Sequence, residues 1–271
     1  MTAEGLAFGY MRRTAKIFAA AAALMAIVLG PPSAWAAPTP IPAPDGTVSA
    51  PARTQISFAS LSGVRTGTAN EHQSRTAMSI AKLYLAEHVV RLGDPADRDA
   101  AVEMIRSSDD GIAERLHAKY PGAIGTTTAA FGLIDTRTSG YWGSATTSTY
   151  DMVTYLDTKI RTDPGSPVLA AMASAHERAA DGTAQDFGTA RLPGVIGTKW
   201  GWTDDHVSAH ASASFGTDFV VAASTYGSAE QLSSDVTAAF TDGRAAPPPV
   251  EPLCVPTVPP LCVPGTGTTI P

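Results

Sequence analysis

Ser79 stands three residues ahead of Lys82 in the stretch TAMSIAKLYLAEHVV, Thr76 to Val90. The spacing predicts a helix beginning near Ala77 and running to about Arg91, and residues three apart share one helix face. An amine beside a hydroxyl on the first turn is an arrangement for nucleophilic catalysis: the lysine takes the serine proton, and the helix N-terminus favours the negative charge that develops on oxygen. The plainer reading is a serine cap followed by a solvated lysine. Lysine is scarce, however. Lys16 lies in the N-terminal segment, leaving Lys82, Lys119, Lys159 and Lys199. Lys199 stands in GTKWGW with Gly201 and Trp202, and between the two lysines lies SSDD, Ser107 to Asp110.

In chain order these are SxxK, then a Ser-Asp pair, then KxG. The series resembles the three-motif signature of penicillin-recognising serine hydrolases, the serine β-lactamases and penicillin-binding D-alanyl-D-alanine peptidases. The resemblance covers about residues 54 to 243. It implies Ser79 as nucleophile, a neutral Lys82 as its proton acceptor, and Ser108 as relay to the leaving nitrogen, with Ser107 as the alternative register. It further implies that Lys199 attracts a substrate carboxylate and that the Ser79 and Trp202 N–H groups form an oxyanion hole. Asp110, Trp200, Gly201 and Trp202 are the implied substrate-binding positions.

Three features depart from the family pattern. Asp110 stands where an asparagine is usual, and an ionised carboxylate only accepts hydrogen bonds. Trp200 replaces the usual hydroxyl residue between lysine and glycine. The Ser79 to Ser108 separation is short, so one wall of the cleft is missing. Between Ser108 and Lys199 the only glutamates are Glu114 and Glu177, and neither lies in a loop suited to activating a deacylating water. Efficient β-lactam hydrolysis is therefore not expected. Two functions remain: an acyl-enzyme hydrolase of D-alanyl peptides or related amides, and a non-catalytic member that binds a wall component or partner protein.

The elements that must position these residues read as an α+β domain, an antiparallel sheet with flanking helices and a helical lobe. TQISFASLSG alternates as a half-buried strand. DRDAAVEMIRSSDDGIAERLHAKYPG gives two helices hinged at SSDD, a further helix starts near Tyr150, and SPVLAAMASAHERAADG reads as another. GVIGTKWGW and VSAHASASFGTDFVVAASTYG are strands, followed by a closing helix in SAEQLSSDVTAAFTDG. His206 and His210 read as a surface pair on a strand, and Tyr141 and Trp142 as the cover of a loop edge, with lining of the cleft as the alternative.

Outside the domain, residues 1–36 read as a secretory signal: Arg12 and Arg13, an apolar run from Ile17 to Leu29, and Ala34-Trp35-Ala36 at the exit. Met11 is an alternative start. Cleavage there implies a secreted or wall-associated protein without a membrane span. Residues 37–52 and 244–271 are proline-rich and read as extended linkers. Cys254 and Cys262, each within PLCVP, suggest a local disulfide in an oxidising compartment, with pairing between chains as the alternative. No metal or cofactor is called for. The formal net charge is −6 with 16% charged residues and no basic run follows the signal, which excludes a nucleic-acid partner and leaves a peptidoglycan-derived peptide or β-lactam-like small molecule. Residues 53–243 are enough for one core burying roughly 70% of the unfolded surface.

Overall fold

The computed structural model describes residues 37–241 and two short strands in the tail, 253–255 and 261–263. The signal segment lies outside the described residues. Five antiparallel strands form the central sheet: β2 (Thr54–Ser60), β3 (Arg65–Gly67), β6 (Val195–Trp202), β7 (His210–Gly216) and β8 (Phe219–Thr225), in the order β3-β2-β8-β7-β6. Small two-stranded pairings join β1 (Thr39–Pro40) to β9 (Phe240–Thr241) and β4 (Arg75–Thr76) to β5 (Thr146–Thr147). Seven α-helices complete the described residues, and none is long and apolar enough to cross a membrane.

The sheet is buried on both faces because its strands alternate between two cores. On one side Ala211, Ala213 and Ala222 belong to the core shared with the helical lobe, whose α5 (Thr149–Thr162) lies against β2, β7 and β8 while α1 (Ala81–Leu92) runs at the lobe's centre. On the other, Ile56, Phe58, Phe219 and Val221 pack against Leu232 and Val236 of α7 (Ala229–Ala239), which opens with a capping box between Ser228 and Gln231. α1 is buried around nearly its whole circumference, as a helix at the centre of a lobe must be; its neighbours include α2 (Pro95–Ser107), α3 (Asp110–Lys119) and α4 (Ala123–Phe131). Its polar members are consequently partnered: Glu87 meets Lys159 of α5 (Thr149–Thr162) at 2.9 Å, and the Tyr84 hydroxyl meets Thr147 at 2.9 Å.

The α+β architecture, the hinge at SSDD and the strand pair after GTKWGW all stand as read. Three elements differ. α4 was not anticipated: its Thr-rich sequence is a poor helix former, and the lobe imposes the helix by burying Ile124 and Thr127 beside α1. The helix read in SPVLAAMASAHERAADG ends early, as α6 (Pro167–Ala173), and residues 174–188 run as a loop whose backbone groups bond elsewhere. The proline-rich segment 37–52 is extended, yet it lies on the domain: Ile41 N–H donates to the Ala239 carbonyl at 2.8 Å, and Val48 is buried. In the tail, β10 (Leu253–Val255) and β11 (Leu261–Val263) pair with Cys254 opposite Cys262. The expected disulfide concerns side chains outside the described residues.

Candidate active site

Ser79 sits in a single 3-10 turn, Met78–Ile80, that leads into α1. Met78 before it is left-handed, φ 50°, a conformation that costs an L-residue roughly 1–2 kcal/mol and here turns the serine toward the sheet. β6 passes directly against this turn. A Cβ on Gly201 would stand 3.0 Å from Met78 Cβ and 3.1 Å from the Ser79 nitrogen, so a side chain at that position of KxG would press on the turn that carries Ser79.

Lys82 follows on the first turn of α1 and is 0% exposed. Its Nζ donates to Ser79 Oγ at 2.6 Å, to the Ser108 carbonyl at 2.8 Å and to Asp110 Oδ1, and lies 4.7 Å from the centre of the Trp142 ring. Burial lowers the pKa of this amine, and the bond to Asp110 partly opposes the shift. The balance leaves Lys82 easier to deprotonate than an ordinary lysine.

Ser108 caps α2 in a left-handed conformation, φ 55°, which turns its carbonyl to Lys82 and its hydroxyl to Lys199. Lys199 Nζ donates to Ser108 Oγ at 2.6 Å. Ser107 is excluded from the role, since its hydroxyl donates back to the Glu103 carbonyl at 2.8 Å. The loop 174–188 fixes this hinge. Ala180 N–H bonds the Ser107 carbonyl at 2.7 Å, and Arg106 O accepts from the His176 N–H and the Gln185 side chain, each at 3.0 Å. These bonds are the physical reason the sequence segment does not continue as a helix.

Lys199 projects from β6 toward the helical lobe and is also 0% exposed. Its other acceptor is the Trp200 carbonyl at 3.2 Å. Burial, reinforced by the charge of Lys82, drives its pKa well below the usual value. Ser79, Lys82, Ser108 and Lys199 therefore form one continuous hydrogen-bonded set. The structure brings together the residues that the motif order selects.

Trp200 departs from expectation. Strand alternation places it opposite Lys199 and Gly201, in the second core, where its indole donates to the Phe187 carbonyl at 2.9 Å. It is not in the cleft. Trp202, at the strand end, does line the cleft and donates its indole N–H to Asp181 at 3.0 Å. Asp110 heads α3 at the cleft mouth with its side chain 72% exposed. His210 is buried, its ring nitrogen 2.8 Å from the Gly227 carbonyl, and so is not half of a surface pair.

The cleft encloses about 570 Å³. Its lobe-side wall is formed by Tyr141, Trp142 and Gly143, and its opposite rim by Trp202 through Asp205 with Ser208. Of the two readings of Tyr141 and Trp142, loop cover and cleft lining, the structure selects the second; the aspartates after GTKWGW carry no motif, and only the turn that leaves the Lys199 strand brings them to the same cavity. Among the described residues no three His, Cys, Asp or Glu side chains converge to hold a metal ion.

A β-lactamase from Xanthomonas campestris superposes with TM-score 0.56 at 16% identity, covering 72% of this chain and 91% of that one. The fold is that of serine β-lactamases and penicillin-binding proteins. A β-lactamase from Sphaerobacter thermophilus matches at TM-score 0.55 and 16% identity over 69% of this chain and 89% of that one. Penicillin-binding protein D2 of Listeria monocytogenes, in its cefotaxime-bound form, matches at 0.51 and 19% identity, covering 67% and 92%. No family profile matches the sequence, and no curated protein matches it.

Proposed function

We propose that the chain is an exported serine acyl-transfer hydrolase acting on D-alanyl peptides of peptidoglycan or on related amides. The observation that carries this reading is the 2.6 Å contact between Ser79 Oγ and Lys82 Nζ, with the lysine buried and its pKa lowered. In the proposed cycle neutral Lys82 accepts the Ser79 proton as Oγ attacks the carbonyl carbon. The N–H of Ser79, beside the close approach of Gly201, stabilises the oxyanion together with that of Trp202. The C–N bond breaks as the amide nitrogen takes a proton through Ser108, leaving an ester on Ser79 that water then hydrolyses. No glutamate lines the cleft, which supports slow β-lactam turnover. Reaction with a fluorophosphonate that labels the wild type and spares Ser79→Ala tests the reading.

A second reading has one observation in its favour. The Lys82 to Asp110 ion pair stabilises the ammonium form, in which the lysine cannot act as base, and a chain held there would bind a wall component or partner without turning it over. Burial of the amine favours the first reading, because desolvation acts on Lys82 more strongly than Asp110 does.

A further inference from the structure

We infer that Asp181 is a positioning residue for the proposed reaction: by accepting the indole N–H of Trp202 it holds the end of β6 so that the backbone N–H of Trp202 faces the oxyanion. The inference rests on the hydrolase reading of this cleft.

β6 is the last strand of its sheet, so it is hydrogen-bonded along one edge only. Across the hairpin Thr203 N–H donates to the Ala209 carbonyl at 3.1 Å, and Trp202 stands opposite His210. Antiparallel pairing alternates, so the N–H and C=O of Trp202 turn away from β7. The ladder therefore holds this peptide group only through its neighbours, and the chain leaves the sheet one residue later. Its direct hold is the side chain. The indole donates to Asp181 Oδ2 at 3.0 Å, has the His206 ring stacked on it with centroids 6.4 Å apart, and meets the Phe187 ring edge-on at 6.3 Å. Among these contacts the bond to Asp181 is the one that reaches an element outside the strand end with a strict direction. His206 adds a weaker link to the same loop, its ring nitrogen 3.4 Å from Thr183 Oγ1.

Asp181 does not line the cleft; it is presented to Trp202 by a tight turn in the loop 174–188. Gly182 after it is left-handed, φ 89°. Ala179 N–H bonds the Thr183 carbonyl at 2.8 Å, Gly182 N–H bonds the Ala179 carbonyl at 2.9 Å, and the Arg178 side chain reaches the Gly182 carbonyl at 2.8 Å. Thr183 N–H donates to Asp181 Oδ1 at 2.9 Å, which leaves Oδ2 for Trp202. Burial opposes ionisation of Asp181, and the bonds from Thr183 and Trp202 outweigh it, holding the carboxylate below its usual range. A charged acceptor makes the stronger kind of hydrogen bond. The next residue of the same turn, Ala180, donates to the Ser107 carbonyl at 2.7 Å. One loop thus sets two parts of the catalytic group against each other, the hinge that presents Ser108 and the strand end that presents the oxyanion donor. The Asp181 charge has a separate effect: burial lowers the pKa of Lys82 and of Lys199, and Asp181 is among the groups that oppose the shift. The bond and the charge are separable by experiment, since only the charge acts on the titration of the lysines.

The test compares the full chain with Asp181→Ala, Trp202→Phe and the double variant, each reacted with a neutral fluorophosphonate across the pH profile and followed by intact mass, with folding checked by thermal unfolding. Deleting an oxyanion donor costs about 100-fold or more, and displacing one costs less. Asp181→Ala is expected to lower the saturating acylation rate on the high-pH plateau about tenfold, with the half-saturating reagent concentration unchanged. Trp202→Phe keeps the carboxylate and loses the bond, so its plateau should fall about as far while its rising limb stays in place. The double variant should be no slower than Asp181→Ala, because both substitutions remove one bond. A wild-type plateau in Asp181→Ala, a wild-type plateau in Trp202→Phe, or losses that multiply in the double variant would each overturn the inference. Should Asp181→Ala fail to fold, the plateau of Trp202→Phe alone decides. Failure of the hydrolase reading shows separately: the wild type then takes up no adduct, whereas a wild type that reacts beside variants that react equally fast overturns the role of Asp181 alone.

Discussion

Replacing Asp110 by asparagine restores an amide at the position where the family has one and removes the carboxylate that opposes Lys82 deprotonation. The size of the effect follows from the two environments. Lys82 is fully buried, but the Asp110 side chain is 72% exposed. Unit charges near contact interact by about 1 kcal/mol in water and about 4 kcal/mol at the effective dielectric of a protein surface. Exposure of the carboxylate, and the small yield of measured exposed pairs, select the low end, about 1 kcal/mol. That energy now holds the proton on Lys82. Its loss leaves burial less opposed and lowers the lysine pKa further, so the neutral base is present from a lower pH. The asparagine oxygen still accepts from Lys82, which keeps the geometry. Acylation of Ser79 by a neutral fluorophosphonate, followed by intact mass between pH 6 and 10, is expected to rise with pH and then level off. In Asp110→Asn the rising limb moves to lower pH, with a rate about fivefold higher below the wild-type midpoint and an unchanged plateau. An unshifted limb, or a slower variant at every pH, would refute the assignment of Lys82 as base.

Lys199→Met should abolish acylation while raising stability at pH 7 by about 1 kcal/mol, the low end of what replacing buried charge achieves, because Ser108 Oγ loses its donor. Since burial lowers the Lys199 pKa, the unfolded chain binds the proton that the folded chain sheds. Wild-type stability therefore rises with pH up to the unfolded lysine value of about 10.4, and the advantage of the variant should narrow between pH 7 and 10 in thermal scans. Gly201→Ala drives a methyl to 3.0 Å from Met78 Cβ and 3.1 Å from the Ser79 nitrogen; about 1–3 kcal/mol of stability should be lost in urea titrations, with acylation at least tenfold slower. Glu87→Ala leaves Lys159 in the core with only the exposed Asp163 as carboxylate partner and should cost about 3 kcal/mol by the same titration, with Ser79 reactivity retained in the folded fraction.

What could be read from sequence divides by the range of the interactions involved. Ser79 and Lys82 are legible because one helical turn alone brings them together. Ser108 and Lys199 are far apart in the chain, and only the order of motifs linked them; the choice of Ser108 over Ser107 depends on a left-handed residue at the helix end, which no propensity marks. The position of Trp200 was available in principle, since a period of two along GTKWGW puts it opposite Lys199 and Gly201. The motif pattern points to the substrate side at that position, and the pleat points to the core; the pleat decides. α4 and the loop 174–188 are settled by tertiary contacts, burial beside α1 in one case and backbone bonds to Arg106 and Ser107 in the other.

The central claim is that Ser79 is a nucleophile activated by Lys82. Intact-protein mass spectrometry of the wild type and of Ser79→Ala, after incubation with an activated fluorophosphonate and a panel of β-lactams, tests it most directly. The account predicts one adduct per chain, absent from the variant, with β-lactam adducts that decay slowly. A wild type that is folded and takes up no adduct from any reagent would contradict it, and would leave a binding protein whose Lys82 is held as an ammonium by Asp110.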